Sequence, residues 1–146
     1  MHTAAILETS GRLFPLLLPA ASGCDCRLFR PAPGEKFRCA MLIVSPDWQG
    51  EAPDLSCRIL LTPPDKAALL SRVRAERIVS FGPSARASIS FSSRTPESLT
   101  LSVRREVPTL SGRMLEMQEI PMRCPPGEAE ESLALCAATL LMGAHP

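Results

Sequence analysis

Cys39-Ala40-Met41-Leu42-Ile43-Val44-Ser45-Pro46-Asp47 recurs further along the chain as Cys57-Arg58-Ile59-Leu60-Leu61-Thr62-Pro63-Pro64-Asp65. Each copy is a short apolar run followed by Ser or Thr, then Pro, then Asp. Such a run is too short for a helix and is typical of a β-strand buried on one or both faces. The closing residues favour a turn or a helix start, because a hydroxyl can cap free backbone N–H groups and proline fits the first helical turn. The repeat therefore predicts two core strands.

Two helices are predicted downstream of this repeat. The first spans Pro64 to Glu76, where apolar residues recur at helical spacing and Thr62 with Asp65 approximates a capping box. The second spans residues 128–142, with glutamates in its first turn, where the helix dipole favours negative charge. Its remainder, Ser132 to Met142, contains no charged residue.

A β-hairpin is predicted between these helices. Ala85 to Ser92 and Ser98 to Arg104 each alternate apolar and polar side chains, and residues 93–97 connect them. This alternation is typical of an antiparallel pair with one face in solvent. A further strand is expected from Arg113 to Ile120, a segment that also suits a helix. We therefore expect an α+β domain built on an antiparallel sheet of about five to seven strands, with a mid-chain helix and a C-terminal helix.

Length and composition indicate one ordinary folded domain. The 146 residues are 45% hydrophobic and carry a net charge of +1, so no global charge points to nucleic acid or to an anionic membrane. The charge is uneven along the chain: residues 66–113 are mostly basic, and residues 114–146 are mostly acidic. Such an asymmetry is typical of two solvated faces of one domain.

The N-terminal segment, residues 1–24, contains an apolar stretch that ends in Ala21-Ser22-Gly23-Cys24. This ending resembles that of a bacterial lipoprotein signal, in which the cysteine is lipidated after cleavage. The resemblance implies export and a lipid anchor at Cys24. Ala21 departs from that pattern, however, because the family usually has Leu three positions before the cysteine.

The charges of residues 1–24 also depart from a signal peptide. Glu8 lies where a positive region is expected, with Arg12 as the one arginine, and two prolines interrupt the apolar stretch. We therefore expect residues 1–24 to form a first strand or short helix next to a single α+β domain of residues 25–146. A cytoplasmic location is expected, with export as the alternative. No stretch approaches the roughly 20 apolar residues of a membrane span.

Neither a metal site nor an enzyme is predicted. Cys24-Asp25-Cys26 is the one closely spaced cysteine pair, and a structural zinc site needs four ligands at paired spacings. The two histidines, His2 and His145, stand at the chain ends, so no interior histidine can serve as a proton relay. A G-x-S-x-G motif and a glycine-rich phosphate loop are also missing. We expect no catalytic residue, no cofactor and no metal.

Binding of another macromolecule, and most simply of protein, is the expected function. The uncharged C-terminal helix presents apolar side chains in every direction, more than one domain needs to bury. The expected contact residues for a protein partner or a second copy are Leu133, Leu135, Leu140, Leu141 and Met142. The competing interpretation is a helix buried centrally in its own domain.

The alternative function is weak binding of phosphate or nucleic acid through the arginine-rich middle of the chain. Its candidate residues are Arg72, Arg74, Arg77, Arg104 and Arg105. The scarcity of aromatic side chains for base stacking makes nucleic acid the weaker expectation.

Overall fold

In a computed structural model of the chain, the strands and helices follow its apolar runs. The structure describes the backbone of residues 1–51 and 53–143, and the side chains of these residues except at 67–69. In chain order the elements are β1 (His2–Leu7), α1 (Leu13–Gly23), β2 (Cys26–Phe29), β3 (Lys36–Val44), β4 (Asp54–Thr62), a 3-10 helix (Pro64–Leu70), β5 (Val73–Ser80), β6 (Ile89–Thr95), β7 (Ser98–Val103), β8 (Val107–Pro108), β9 (Met114–Leu115), β10 (Gln118–Arg123) and α2 (Ala129–Leu141).

Strands β1 to β5 form a parallel sheet in the order β2-β1-β3-β4-β5. The predicted antiparallel sheet of five to seven strands is therefore wrong for this half of the chain, although the α+β class fits. The two copies of the repeat lie side by side, with Cys39 opposite Cys57 and Ile43 opposite Leu61. Strands of a parallel sheet are buried on both faces, so they form continuous apolar runs rather than alternating patterns. The repeat was a signal of parallel pairing for this reason.

Helix α1 is the crossover that allows β1 and β2 to lie parallel, because parallel neighbours cannot be joined by a tight turn. Residues 1–24 thus form β1, between β2 and β3, and α1. Ile6 of β1 is 2% exposed and Leu17 of α1 is fully buried. The later connections are shorter and contain no α-helix in their described residues; the one after β4 contains the 3-10 helix.

The prediction of an α-helix from Pro64 to Glu76 is wrong in the type of helix and in the residue at which it ends. A 3-10 helix stops at Leu70, and the chain then enters β5, which pairs with β4. The predicted capping box is also absent, since the Thr62 hydroxyl donates to the carbonyl of Pro63 at 3.0 Å. Helical spacing of apolar residues is a weak preference, and pairing of the whole β5 backbone with a buried strand overrides it.

The predicted hairpin is confirmed as β6 and β7, which pair antiparallel with Ile89 opposite Val103. Its first strand begins at Ile89 rather than at Ala85, and only Pro96 and Glu97 lie between the strands. Strand β10 pairs with the other side of β7, giving an antiparallel sheet β10-β7-β6. The strand expected from 113 to 120 is divided between β9 and β10.

Two apolar cores lie on opposite faces of the parallel sheet. The first contains side chains of β1, β3, β4 and β5 packed with α1, α2 and the antiparallel sheet. The second contains Leu42 and Leu60 packed with Trp48 and Leu70, which belong to the connections after β3 and β4. Helices therefore cover one face of the sheet, and short connecting segments cover the other.

The C-terminal helix is confirmed, as α2 over Ala129–Leu141. Most of its side chains are buried in the first core, among them Leu133 and Leu140, both fully buried. No helix within the described parts of the chain has the length and apolar character needed to cross a bilayer.

Candidate functional site

A groove of about 990 Å³ lies along β3, β4 and β5, and we call it the β3–β5 groove. Its apolar lining comes from Leu60 of β4, Leu70 of the 3-10 helix, and Val73, Ala75 and Ile78 of β5. Leu60 and Leu70 are 3% and 5% exposed, whereas Ile78 is 63% exposed. The groove thus has a buried floor and one large apolar side chain standing free at its edge.

The groove exists because the second face of the parallel sheet lacks a covering helix. In most parallel sheets helices cover both faces, so the apolar side chains of the strands are buried on both. Here the connections after β3 and β4 contribute Trp48 and Leu70 as cover on that face. Ile78, which lies opposite Leu60 in the β4–β5 pairing, remains largely uncovered.

In β3 and β4 the regular alternation of side chains between the two faces of the sheet is interrupted at one level. Cys39 packs in the second core and Met41 in the first, although residues two apart on a regular strand share a face. The same change separates Cys57 from Ile59, and the two pairs are in register. Arg58 lies at this level and is among the residues that line the groove, while its guanidinium reaches the carbonyl of Leu110 in the first core.

Arginines dominate the charge of the groove. Arg38, Arg58 and Arg74 line it, and among the lining residues that the structure describes Glu76 is the one acidic side chain. A surface with three guanidinium groups and one carboxylate attracts anionic groups. Arginine also presents a planar fork of donors that suits carboxylates and phosphates.

These arginines differ in how far the protein itself uses them. Arg58 donates to the carbonyl of Leu110 at 2.8 Å. Arg74 lies 3.2 Å from a carboxylate oxygen of Asp54 and also donates to Ser56. Arg38 has no hydrogen bond or ion pair within the described residues, so its guanidinium is free for a ligand.

Two cysteines lie on the groove without chemistry of their own. Cys39 and Cys57 are each 5% exposed. Burial raises the pKa of Cys39 to about 12 and that of Cys57 to about 11, so both thiols stay protonated at neutral pH. A protonated thiol is a poor nucleophile. These residues are packing groups of the second core.

The described residues contain no group of three or more His, Cys, Asp or Glu side chains placed to hold a metal ion. Cys24 and Cys26 of the closely spaced pair are free thiols. Burial is the main cause that raises the pKa of Cys24, and it raises that of Cys26 to about 11. His145 lies outside the described residues.

The arginines predicted from the sequence fall into two sets. Arg72, Arg74 and Arg77 lie at the turn before β5 or on it, and Arg74 lines the groove. Arg104 and Arg105 follow β7, where they donate to the carbonyls of Ser84 and Arg86 at 3.1 and 3.0 Å. Sequence reasoning missed Arg38 and Arg58. The signal was present in Arg58, a charged residue inside an otherwise apolar strand.

The partner-binding residues predicted on α2 are all in the core. The exposed fraction is 0% for Leu133, Leu140 and Leu141, 3% for Met142 and 8% for Leu135. All five pack with residues of the first core, so the chain itself covers these side chains. A partner could contact these side chains only after α2 had left the domain.

A second cavity, of about 210 Å³, lies where β1 and β3 end, and we call it the terminal crevice. Ligands of α/β sheets often bind at the carboxyl ends of strands where the strand order reverses, as it does between β1 and β3. Glu8 lines the crevice and is 2% exposed. Its carboxylate accepts hydrogen bonds from the backbone N–H groups of Leu13 and Phe14, at 2.8 and 2.9 Å. Glu8 therefore caps α1.

The remaining polar groups around the terminal crevice are also used by the fold. Asp47 accepts hydrogen bonds from the backbone N–H groups of Thr9 and Ser10 at 3.3 and 2.9 Å. Burial acts to raise the pKa of Asp47, but these bonds and hydroxyl donors from Ser45 and Ser10 outweigh it, so the pKa is lowered. Arg12 pairs with Glu131 across the crevice. The β3–β5 groove is the better candidate, because its volume is larger, Arg38 has no partner within the described residues, and Ile78 is 63% exposed at its edge.

No protein-family model, curated protein or solved structure matches the chain, so the groove is interpreted from its own residues. Its chemistry is that of binding. The described lining includes neither a thiolate nor a carboxylate pair, and its exposed side chains include the guanidinium groups of Arg38 and Arg74, the carboxylate of Glu76 and the aliphatic Ile78.

Proposed function

We propose that this chain is a protein-binding domain whose β3–β5 groove holds an acidic, partly apolar segment of a partner protein. The observation that carries the proposal is a groove whose described lining combines apolar residues of the sheet face that has no helix over it with three arginines. An extended or helical segment with apolar side chains would complete the cover of this face. Its carboxylates would pair with Arg38 and Arg74, and Arg58 would add positive charge beside them.

We expect the contact with Ile78 at the edge of the groove to contribute most of the binding free energy. Burying a large aliphatic side chain contributes about 1.5–3 kcal/mol, and a few such anchors carry most of the binding energy of an interface. The arginines at the rim would add specificity and speed of association more than affinity. Weak to moderate affinity that decreases with added salt is therefore expected.

A protein segment fits this groove better than nucleic acid does. Single-stranded nucleic acid is held by aromatic stacking together with positive charge, and no Phe, Tyr or Trp is among the described residues that line the groove. An apolar floor of leucine, valine and isoleucine suits aliphatic side chains instead. This keeps the function predicted for the chain and moves the binding surface from α2 to the sheet.

The test uses a fluorescein-labelled octapeptide of alternating Glu and Leu, a Lys–Leu peptide of the same length, and a labelled single-stranded oligonucleotide. Fluorescence anisotropy is recorded with the purified protein at two salt concentrations. We expect the Glu–Leu peptide to bind at least about tenfold more tightly than the other two probes and to lose affinity in high salt.

Two groove variants and two matched controls locate the contact. Arg38→Glu and Ile78→Asp should each weaken binding of the Glu–Leu peptide about tenfold or more. Arg123→Glu on β10 and Met117→Asp, at a methionine that is 70% exposed, make the same changes away from the groove and should leave it unchanged. Equal binding of both peptides, preference for the oligonucleotide, or indifference to Ile78→Asp would contradict the proposal.

A further inference from the structure

Strand β5 is one edge of the parallel sheet, and within the described chain it is paired on one side only, with β4. Its last residues are flanked, since Ser80 accepts a hydrogen bond from the backbone N–H of Ser88 at 3.0 Å and Phe81 pairs with Ile89. The edge is therefore open from Val73 to Val79. An open edge presents unpaired N–H and C=O groups and is a template for another strand.

The opposite edge of the sheet is a poorer template. Strand β2 spans four residues, Cys26–Phe29, whereas β5 spans eight. Short edge strands are one device by which proteins avoid pairing with other chains. A second device is charge on the edge, and β5 carries Arg74, Glu76 and Arg77, all exposed. These charges are of both signs, so their effect depends on the strand that lies opposite.

We infer that β5 pairs with β5 of a second copy of this chain, antiparallel and centred on Ala75, to give a symmetric dimer with one continuous sheet. The inference rests on the open strand edge and on charge complementarity along it, and Arg74 is a residue that the dimer and the proposed peptide site would share. The occupant is a second copy rather than another protein because β5 is complementary to itself in one register.

Symmetry limits the registers that β5 can adopt with its copy. A two-fold axis normal to the sheet keeps each face on its own side, so the register is centred on one residue. Centring on Glu76 or on Arg77 places that residue opposite its own copy, and like charges directly opposite are destabilising. Centring on Ile78 requires Ser80 to pair with the second copy, but the hydroxyl of Ser80 already accepts a hydrogen bond from the backbone N–H of Ser88.

Centring on Ala75 places Arg74 of each copy opposite Glu76 of the other. Arg74 and Glu76 lie two residues apart on β5, both are exposed, and both are among the residues that line the β3–β5 groove. Each dimer then contains two cross-strand pairs of opposite charge, a pairing that stabilises adjacent strands. Small Ala75 at the centre lets the two backbones approach.

The test is the mass of the purified full chain by light scattering coupled to size exclusion, over a dilution series. The wild-type protein is expected at twice 15.8 kDa when concentrated, and as a monomer when dilute. Arg74→Glu and Glu76→Arg each place like charges opposite at both sites, and each should raise the dimer dissociation constant about tenfold or more.

The double variant R74E/E76R decides the register, because it restores both opposite-charge pairs and should restore the dimer. The double variant, like Arg74→Glu alone, lacks the contact of Arg74 with Asp54. A recovery of the dimer therefore cannot result from that contact. Arg123→Glu is the charge control, and melting temperatures verify that each variant is folded. A wild-type monomer at every concentration, or a double variant as monomeric as the single ones, would overturn the inference. The mass measurement uses no peptide. The dimer can therefore be absent while the peptide still binds the groove, and the peptide can fail to bind while the dimer is present.

Discussion

Replacing Glu8 by alanine should destabilise the domain more than any other single change to a charged residue on its surface loops. The Glu8 carboxylate is 2% exposed and accepts two hydrogen bonds from the first turn of α1, at 2.8 and 2.9 Å. A hydrogen bond to a charged group contributes about 1.5–3 kcal/mol, and loss of a helix cap costs about 0.5–2 kcal/mol. The ion pair of Glu8 with Arg30 adds little, because Arg30 is 51% exposed.

We therefore expect Glu8→Ala to lower the free energy of unfolding by about 3 kcal/mol. For a domain of this size, that loss corresponds to a fall of about 6–12 °C in the melting temperature. Glu8→Gln keeps one acceptor oxygen but turns an NH₂ group toward the other backbone N–H, so about half of the loss should remain.

Urea denaturation followed by the fluorescence of Trp48 measures these changes. Trp48 is the single tryptophan and is 5% exposed, so its emission reports the second core. Far-UV circular dichroism reports the helices, and coincident transitions would show that unfolding is cooperative. Glu35→Ala is the matched control, because its carboxylate accepts one backbone hydrogen bond, at 2.8 Å, in an exposed loop. It should lose less than about 1 kcal/mol. A loss below about 1 kcal/mol for Glu8→Ala would refute the capping role.

Further predictions follow from other buried or hydrogen-bonded groups. The pKa of Asp47 is lowered from 3.8, so its ionised carboxylate stabilises the fold above that pH, and this stabilisation is lost as the pH falls below it. Asp47→Asn should therefore lower the urea midpoint at pH 7 and have a smaller effect in acid. Iodoacetamide should label Cys24 first in the folded protein, because the other five cysteines are buried, and mass spectrometry should find all six modified after unfolding. Leu140→Ala should cost about 2–5 kcal/mol in urea titrations of the isolated chain, whereas Met117→Ala should cost less than about 0.5 kcal/mol. A chain lacking residues 1–23 loses β1 and α1, and it should show no cooperative urea transition.

The sequence determined the local elements wherever burial follows a simple period. The apolar repeat identified β3 and β4, because a short apolar run bounded by proline has few other stable conformations. The alternating segments identified β6 and β7, and the uncharged stretch after Glu131 identified α2. These elements depend mainly on their own residues and on the presence of some apolar environment.

Tertiary structure decided which strands pair and in which direction. A run that is apolar on both faces can belong to a parallel or to a sandwiched antiparallel strand, and the choice depends on α1 crossing from β1 to β2. The same context turned Val73 to Glu76 from a predicted helix into part of an edge strand, because β4 offered hydrogen bonds along its whole length.

Tertiary structure also decided the candidate site. The uncharged character of α2 is compatible with an exposed interface or with burial, and the first core buried it. Arg38 and Arg58, separated by twenty positions in the chain, both line the groove because β3 and β4 are parallel neighbours. Sequence carries the preference of each side chain for water or for apolar surroundings. Which side chains share a surface depends on strand order, since that order sets the distance between residues far apart along the chain.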